Sequence, residues 1–376
     1  MCSEIWYLKI FWEIIKKKDL LKKLFSPTKY LNYDPLFLCS AYEEETPIKA
    51  YLPYKQEVCW IRSTWEETCN AVNNISIQKT SPPFNLGTDL RALKAFQGLA
   101  YHEFKASGKI TKDSNIIRLD SLKINQKETK LTVQKAKYSD QVQSNLVMDW
   151  TDNHALKELG VATLRAYFTS RYPQRLPPLS DTHLANTIGI AVILFYQNSS
   201  MEYVPYIPQR AKGLINNKKI LAVFEGGYHC TASGAAEWSE SENFNQCITK
   251  DMYEELREEV GIERDDVEVM LPVALCREFL RGGKPQIFFA GLTKLSEKQL
   301  GEKRKSAIKM QNEMKDKVEI EDNQLIVSDI DHLKKSAQFF GLTLEAIANL
   351  HYAEKFINMY LPNRSRIIRK AQEKFA

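Results

Sequence analysis

Cysteine pairing motifs are the first thing missing from this chain. Its seven cysteines, Cys2, Cys39, Cys59, Cys69, Cys230, Cys247 and Cys276, are odd in number and never stand in C-x-x-C spacing. That argues against a disulfide scaffold or a zinc site written in a local motif. It suits unpaired thiols in a reducing compartment, and a cytoplasmic location is expected. Histidine is sparse as well. The six are dispersed, with no H-x3-H and no H-E-x-x-H, so the paired-imidazole metal signature is excluded. His229, beside Cys230, is read as a packed or hydrogen-bonded loop histidine rather than a ligand. Long apolar runs are lacking too. Residues 4–25 hold about twelve consecutive mostly apolar positions where a span needs roughly twenty, and Lys9 and Glu13 interrupt them. The same stretch lacks the basic-first order and cleavage site of a signal peptide. Nor does one sign of charge dominate: 52 Lys and Arg against 47 Asp and Glu give +5. Anionic ligands are permitted, but nothing in that balance argues for nucleic acid. No internal repeat is visible.

What is present fits a soluble α/β protein. A length of 376 residues predicts two domains, and a hydrophobic share of 44% with 26% charged residues excludes wholesale disorder. The boundaries expected are an N-terminal mixed α/β domain over 1–180, a second domain over 181–345 and a helical tail over 346–376. Residues 4–25 read as a helix docked on the core, in preference to an interfacial helix with Trp6, Phe11 and Trp12 among lipid headgroups. A short helix is expected over 63–69, and an amphipathic one from Asp89 through Phe104. Segments 116–122 and 131–136 suggest paired strands, and 154–172 a helix. Residues 172–179, with three prolines, are the best linker candidate. From 188 to 196 the chain is continuously apolar, as for a strand covered on both faces. Further strands are expected at 203–207, 220–224, 267–276 and 286–292, with a charged helix over 296–317, a last strand or loop over 319–327 and a helix from Leu342.

The chemistry is written between residues 233 and 262. Glu255, Glu258 and Glu259 stand at i, i+3 and i+4, so they share a helix face, repel one another and oppose the helix dipole. Leu256 and Val260 make the apolar stripe, and Gly261 supplies the left-handed stop. A bound hard cation would remove the electrostatic conflict, whereas a solvated acidic face would tolerate it. Gly234 and Glu240 add a G-x5-E pair upstream. Together these residues resemble the Nudix box, G-x5-E-x7-R-E-U-x-E-E-x-G-U, with Glu255, Leu256, Glu258, Glu259, Gly261 and Ile262 matching its second half in order. Two departures stand out. The gap after Glu240 is longer by about six residues, and Glu254 occupies the place of the family's arginine.

The resemblance implies a mixed sheet sandwiched between helices and a metal-dependent hydrolase. It would cleave the pyrophosphate bond of a nucleoside diphosphate linked to another group, using Mg²⁺ or Mn²⁺. Glu255, Glu258 and Glu259 are then the ligands, the Ser233 carbonyl adds an oxygen, and Gly234 and Glu240 shape the loop. Glu278, Glu319 and Glu321 are candidate bases. Arg277, Arg281 and Lys284 surround a Gly-Gly turn and are expected to hold substrate phosphates. The partner expected is a nucleotide-derived small molecule. Two alternatives stand beside hydrolysis: a Nudix fold that binds a nucleotide without turning it over, and RNA 5′-end processing.

Overall fold

The computed structural model describes residues 35–45, 47–48, 58–61, 75–87, 91–106, 112–124, 129–151, 156–211, 214–215, 218–219, 226–313, 320–325, 327, 329–335 and 341–375. The expected helices over 4–25 and 63–69 and the strand over 220–224 lie outside these residues. In chain order the elements are α1 (Pro35–Ala41), β1 (Pro47–Ile48), β2 (Val58–Ile61), β3 (Ile75–Lys79), α2 (Arg91–Ala106), β4 (Asn115–Ile124), β5 (Thr129–Lys137), α3 (Tyr138–Val142) and α4 (Leu164–Arg171). The second half holds β6 (Gly189–Gln197), β7 (Tyr203–Pro205), β8 (Pro208–Arg210), β9 (Leu214–Ile215), β10 (Lys218–Lys219), β11 (Ala232–Ala235), α5 (Lys250–Val260), β12 (Val267–Glu278), β13 (Lys284–Thr293), α6 (Glu297–Glu313), β14 (Ile320–Gln324), α7 (Ile330–Lys335) and α8 (Leu344–Phe375). The chain is thus an α/β protein with mixed sheets and, among the described residues, no closed barrel.

The apolar run at 188–196 becomes the middle of the molecule. It forms β6, whose residues from Gly189 through Tyr196 are all buried. β6 pairs in parallel with β13 on one side and antiparallel with β11 and β7 on the other. The sheet runs β1-β2-β12-β13-β6-β11, with β7 beside β6. Side chains alternate faces along a strand, and two neighbours on β13 show what covers each face. Phe289 stacks with Phe244 at the entry to α5, while Phe288 meets Tyr352 of α8. Helices therefore sandwich this sheet, as a strand apolar on both faces requires.

Packing crosses the boundary expected near residue 180, while a separate apolar cluster built from residues between Leu93 and Leu184 lies almost wholly before it. β4 and β5 pair antiparallel as expected, and β3 joins β5 in parallel. That small sheet is stitched to the large one by backbone bonds: Ile117 N–H to Ala236 O, Ile188 N–H to Ile117 O, and Leu119 N–H to Asn186 O. Ile77, Ile117, Leu119, Leu131 and Val133 share one apolar cluster with β6 and β13. The stretch 154–172 is not one helix. Gly160 takes φ 70°, and Thr163 caps a new start by accepting from Ala166 N–H at 3.1 Å. The expected linker is fixed to the fold: Arg118 donates to Leu179 O and Arg277 to Pro177 O. The expected charged helix, α6, packs on the fold: Leu300, Arg304 and Ala307 are buried, and Gly261 at the end of α5 lies against Lys303 O.

Candidate functional site

The site forms around β11, the end of the sheet among the described residues. Ser233 and Gly234 pair with Ala191 and Ile190 of β6, and β11 ends the sheet path, so its outward N–H groups need partners from elsewhere. α5 supplies one: Ser233 N–H donates to Glu259 Oε2 at 3.0 Å. The other oxygen of Glu259 accepts from Arg210 Nη1 at 2.9 Å, and both side chains are buried. Glu255 lies one turn earlier against Gly234. A Cβ built on Gly234 would fall 1.8 Å from Glu255 Oε1. A side chain at this position would displace the carboxylate, so glycine is what lets Glu255 lie against the strand.

The extra loop residues before α5 are absorbed locally. Asn243 Oδ1 accepts from Asn245 N–H and Gln246 N–H, and Asn245–Thr249 form a π-helical turn that runs into α5. Asp251 accepts from Glu237 N–H at 2.7 Å, and burial pushes its carboxyl up to about 7. Glu240, expected to support the loop, is 87% exposed; it accepts from Trp238 Nε1 and lies 4.0 Å from Lys79 Nζ.

Two expected ligands come together and a third does not. Glu255 and Glu259 meet β11, but the Glu258 side chain is 65% exposed beside Arg257. The helix turns about 100° per residue, and only the face carrying positions 255 and 259 addresses the sheet. Hard carboxylate oxygens against a glycine cradle suit Mg²⁺ or Mn²⁺, and the donors in place are Glu255 and Glu259. Ser233 was expected to offer its carbonyl; the contacts it makes here are its N–H to Glu259 and its Oγ, 3.0 Å from His229 Nε2. Glu254, in the arginine's place, forms an ordinary i, i+4 pair with Lys250 at 3.2 Å.

The three cations expected around the Gly-Gly turn point into the protein. Gly282 and Gly283 take φ 62° and 90°, making the tight turn. Arg277, however, spans Gly283 O and Pro177 O, which makes it a staple for the linker and not a free phosphate contact. Arg281 is buried 3.3 Å from Glu278, and Lys284 is buried with Nζ 3.2 Å from Gln286 Oε1. Burial pulls the Lys284 ammonium down to about 8, with Glu278 opposing that shift. Of the candidate bases, Glu278 is buried, whereas Glu319 lies outside the described residues.

Sequence reasoning missed the residues that join these groups. Glu345, in the first turn of α8, accepts from Gln286 Nε2 at 2.7 Å and lies 3.8 Å from His229 Nε2. Burial, aided by Glu278, raises its carboxyl to about 7 against the pull of Lys284, Arg281 and Arg210. Burial and the cations Arg210 and Arg281 hold His229 well below the usual imidazole range, so it is neutral near pH 7. Arg210 ends β8, 49 residues before its partner Glu259. No local pattern marks such a contact.

Compared with known families and curated proteins, the chain matches no family model and no curated protein. No helix among the described residues is long and apolar enough to cross a membrane.

Proposed function

We propose that this chain is a Nudix-type hydrolase that cleaves the pyrophosphate bond of a nucleoside diphosphate linked to another group. The observation that carries this reading is the fit of Glu255 into the space left by Gly234. The glycine of G-x5-E and the first acid of E-U-x-E-E, 21 positions apart in the sequence, are brought into contact by the fold. Glu255 and Glu259 would hold Mg²⁺ or Mn²⁺, which when bound neutralises diphosphate charge and makes a bound water more acidic. The chain's own part is to hold these carboxylates still. Glu255 is confined by β11, and Glu259 is oriented by Ser233 N–H and by Arg210. Arg210 thereby supplies from β8 the ion pair that Glu254 cannot supply from within α5. A reducing, cytoplasmic setting belongs to the same proposal and is supported by Cys230, Cys247 and Cys276, which are buried outside any disulfide.

Binding without turnover is the second reading. It is favoured by the engagement of both Glu259 oxygens within the protein and by the outward position of Glu258. One experiment separates the two. The full chain is incubated with Mg²⁺ or Mn²⁺ and a panel of ADP-ribose, NAD, nucleotide sugars, dinucleoside polyphosphates and nucleoside triphosphates, with monophosphate release as the readout. Hydrolysis is expected, with Glu259→Gln reducing it on the order of 100-fold or more and Glu258→Gln leaving most of it. Ligand-induced thermal stabilisation without product would select the binding module. Full activity in Glu259→Gln would remove the hydrolase assignment.

A further inference from the structure

A second set of metal-ligating groups lies on the other face of the sheet, where the head of α8 packs. We infer that His229 Nε2, Cys230 Sγ and a Glu345 carboxylate oxygen form a binding site for a borderline transition-metal ion of the zinc type, distinct from the Glu255–Glu259 pair. The donor atoms of these three residues all lie within 4.8 Å of one another, with His229 Nε2 3.8 Å from Glu345 Oε2. His229 and Cys230 are buried, and the Glu345 side chain is 12% exposed.

Donor chemistry sets the class of ion. One imidazole nitrogen, one thiol sulfur and one carboxylate oxygen are a poor set for Mg²⁺ or Ca²⁺, which take oxygen, and a good set for Zn²⁺. Three protein donors with a fourth position left over is the pattern of a zinc site that keeps an exchangeable ligand. Ser233 Oγ, 3.0 Å from His229 Nε2, stands beside that position.

The supporting contacts are those a ligating cluster needs. Thr343 Oγ1 accepts from Ala346 N–H at 3.1 Å and lies 2.6 Å from His229 Nδ1. With the imidazole proton on Nδ1, that contact holds the ring and leaves the Nε2 lone pair facing Ser233 Oγ at 3.0 Å, with Glu345 Oε2 3.8 Å away. Asn349 Nδ2 donates toward Cys230 Sγ at 3.6 Å, which ties the sulfur to α8. The two carriers of the cluster are tied together through the backbone: Tyr228 N–H to Gly341 O and Thr343 N–H to Tyr228 O, each 2.9 Å. His229 N–H is held by Pro208 O at 3.0 Å. Bond lengths near 2.0–2.3 Å place tetrahedral donors roughly 3.3–3.8 Å apart. The cluster therefore has to close by about an ångström at its widest to hold an ion. A cation here would also offset the desolvation of a carboxyl and a thiol buried side by side.

Cobalt(II) is the probe, because thiolate ligation gives it a charge-transfer absorption band that oxygen ligation does not. Chelator-treated full-length protein is titrated with Co²⁺ and then with Zn²⁺. Expected are about one equivalent of tight Co²⁺ binding with that band, displacement by Zn²⁺, and loss of the band in Cys230→Ser and His229→Ala. Cys247→Ser and Cys276→Ser should keep it. No band in the parent, or a band that survives in Cys230→Ser, overturns the site. Should Cys230→Ser lose its native circular dichroism, Glu345→Gln decides: Co²⁺ affinity at least about tenfold weaker supports the site, and unchanged affinity overturns it. Neither readout requires turnover, so the inference stands or falls separately from the hydrolase.

Discussion

Gly234 shows how much can depend on one missing side chain. A Cβ at that position would fall 1.8 Å from Glu255 Oε1 and 2.3 Å from its Cδ. The atoms in the way belong to the far end of a flexible side chain, so Gly234→Ala displaces the carboxylate and leaves the backbone in place. The expected result is strong loss of metal-dependent hydrolysis, with unfolding free energy changed by less than about 1 kcal/mol in a urea titration. Equal losses of activity and stability would mean that the contact is merely structural. Glu345 offers a pH test. Its proton is held up to about 7 in the fold but released near 4.5 in the unfolded chain. Because the folded state binds more protons in between, ionising this group removes stability as pH rises from about 4.5 to 7. Replacing it by Gln abolishes that loss. The melting temperature of Glu345→Gln, relative to the parent, should therefore be higher at pH 8 than at pH 5.

At the scale of elements, α5 is positioned by its two ends. A π-helical turn leads in, and Gly261 leads out at φ 71° with its N–H bonded to Arg257 O and the Ile262 N–H returned to Leu256 O. That left-handed residue also lies where a Cβ would meet Lys303 O at 2.6 Å, which ties the end of α5 to α6. Gly261→Ala combines backbone strain with a clash against main chain, and a destabilisation of about 2 kcal/mol or more is expected from denaturant unfolding. Much of this was legible beforehand: the acidic spacing, the apolar stripe and the terminal glycine all lie within one helix. The choice among the three acids was not. Positions 255, 258 and 259 are near neighbours on a helical wheel, and only the packing of α5 on β11 leaves Glu258 in solvent. Arg277, Arg281 and Lys284 misled for a related reason. Three cations around a Gly-Gly turn look solvent-facing in sequence, but α1, the linker and α8 cover that hairpin.

Across the whole molecule, segments far apart in the chain are held by buried charge as well as by apolar packing. Arg165 of α4 grips Asp149 with two bonds of 2.6 and 2.7 Å, and it also donates to Tyr42 Oη, Phe279 O and Leu280 O. One guanidinium thus joins α4, the turn after α1 and the turn between β12 and β13. Removing it strands Asp149 in a dry site, so Arg165→Ala is expected to cost on the order of 3–5 kcal/mol of unfolding free energy. A loss below about 1 kcal/mol would show that these segments hold together without it. By itself the sequence determined the α/β class, the buried strand from 189, the hairpin of β4 and β5, and the helix that carries Glu255 and Glu259. These are short-range matters, settled by periodicity, caps and glycines within a dozen residues. Tertiary structure alone decided that the small sheet packs into the core of the large one, that Arg210 pairs with Glu259, and that His229, Cys230 and Glu345 meet. Those contacts join positions far apart in the chain, and only closure of the fold gives them a common place.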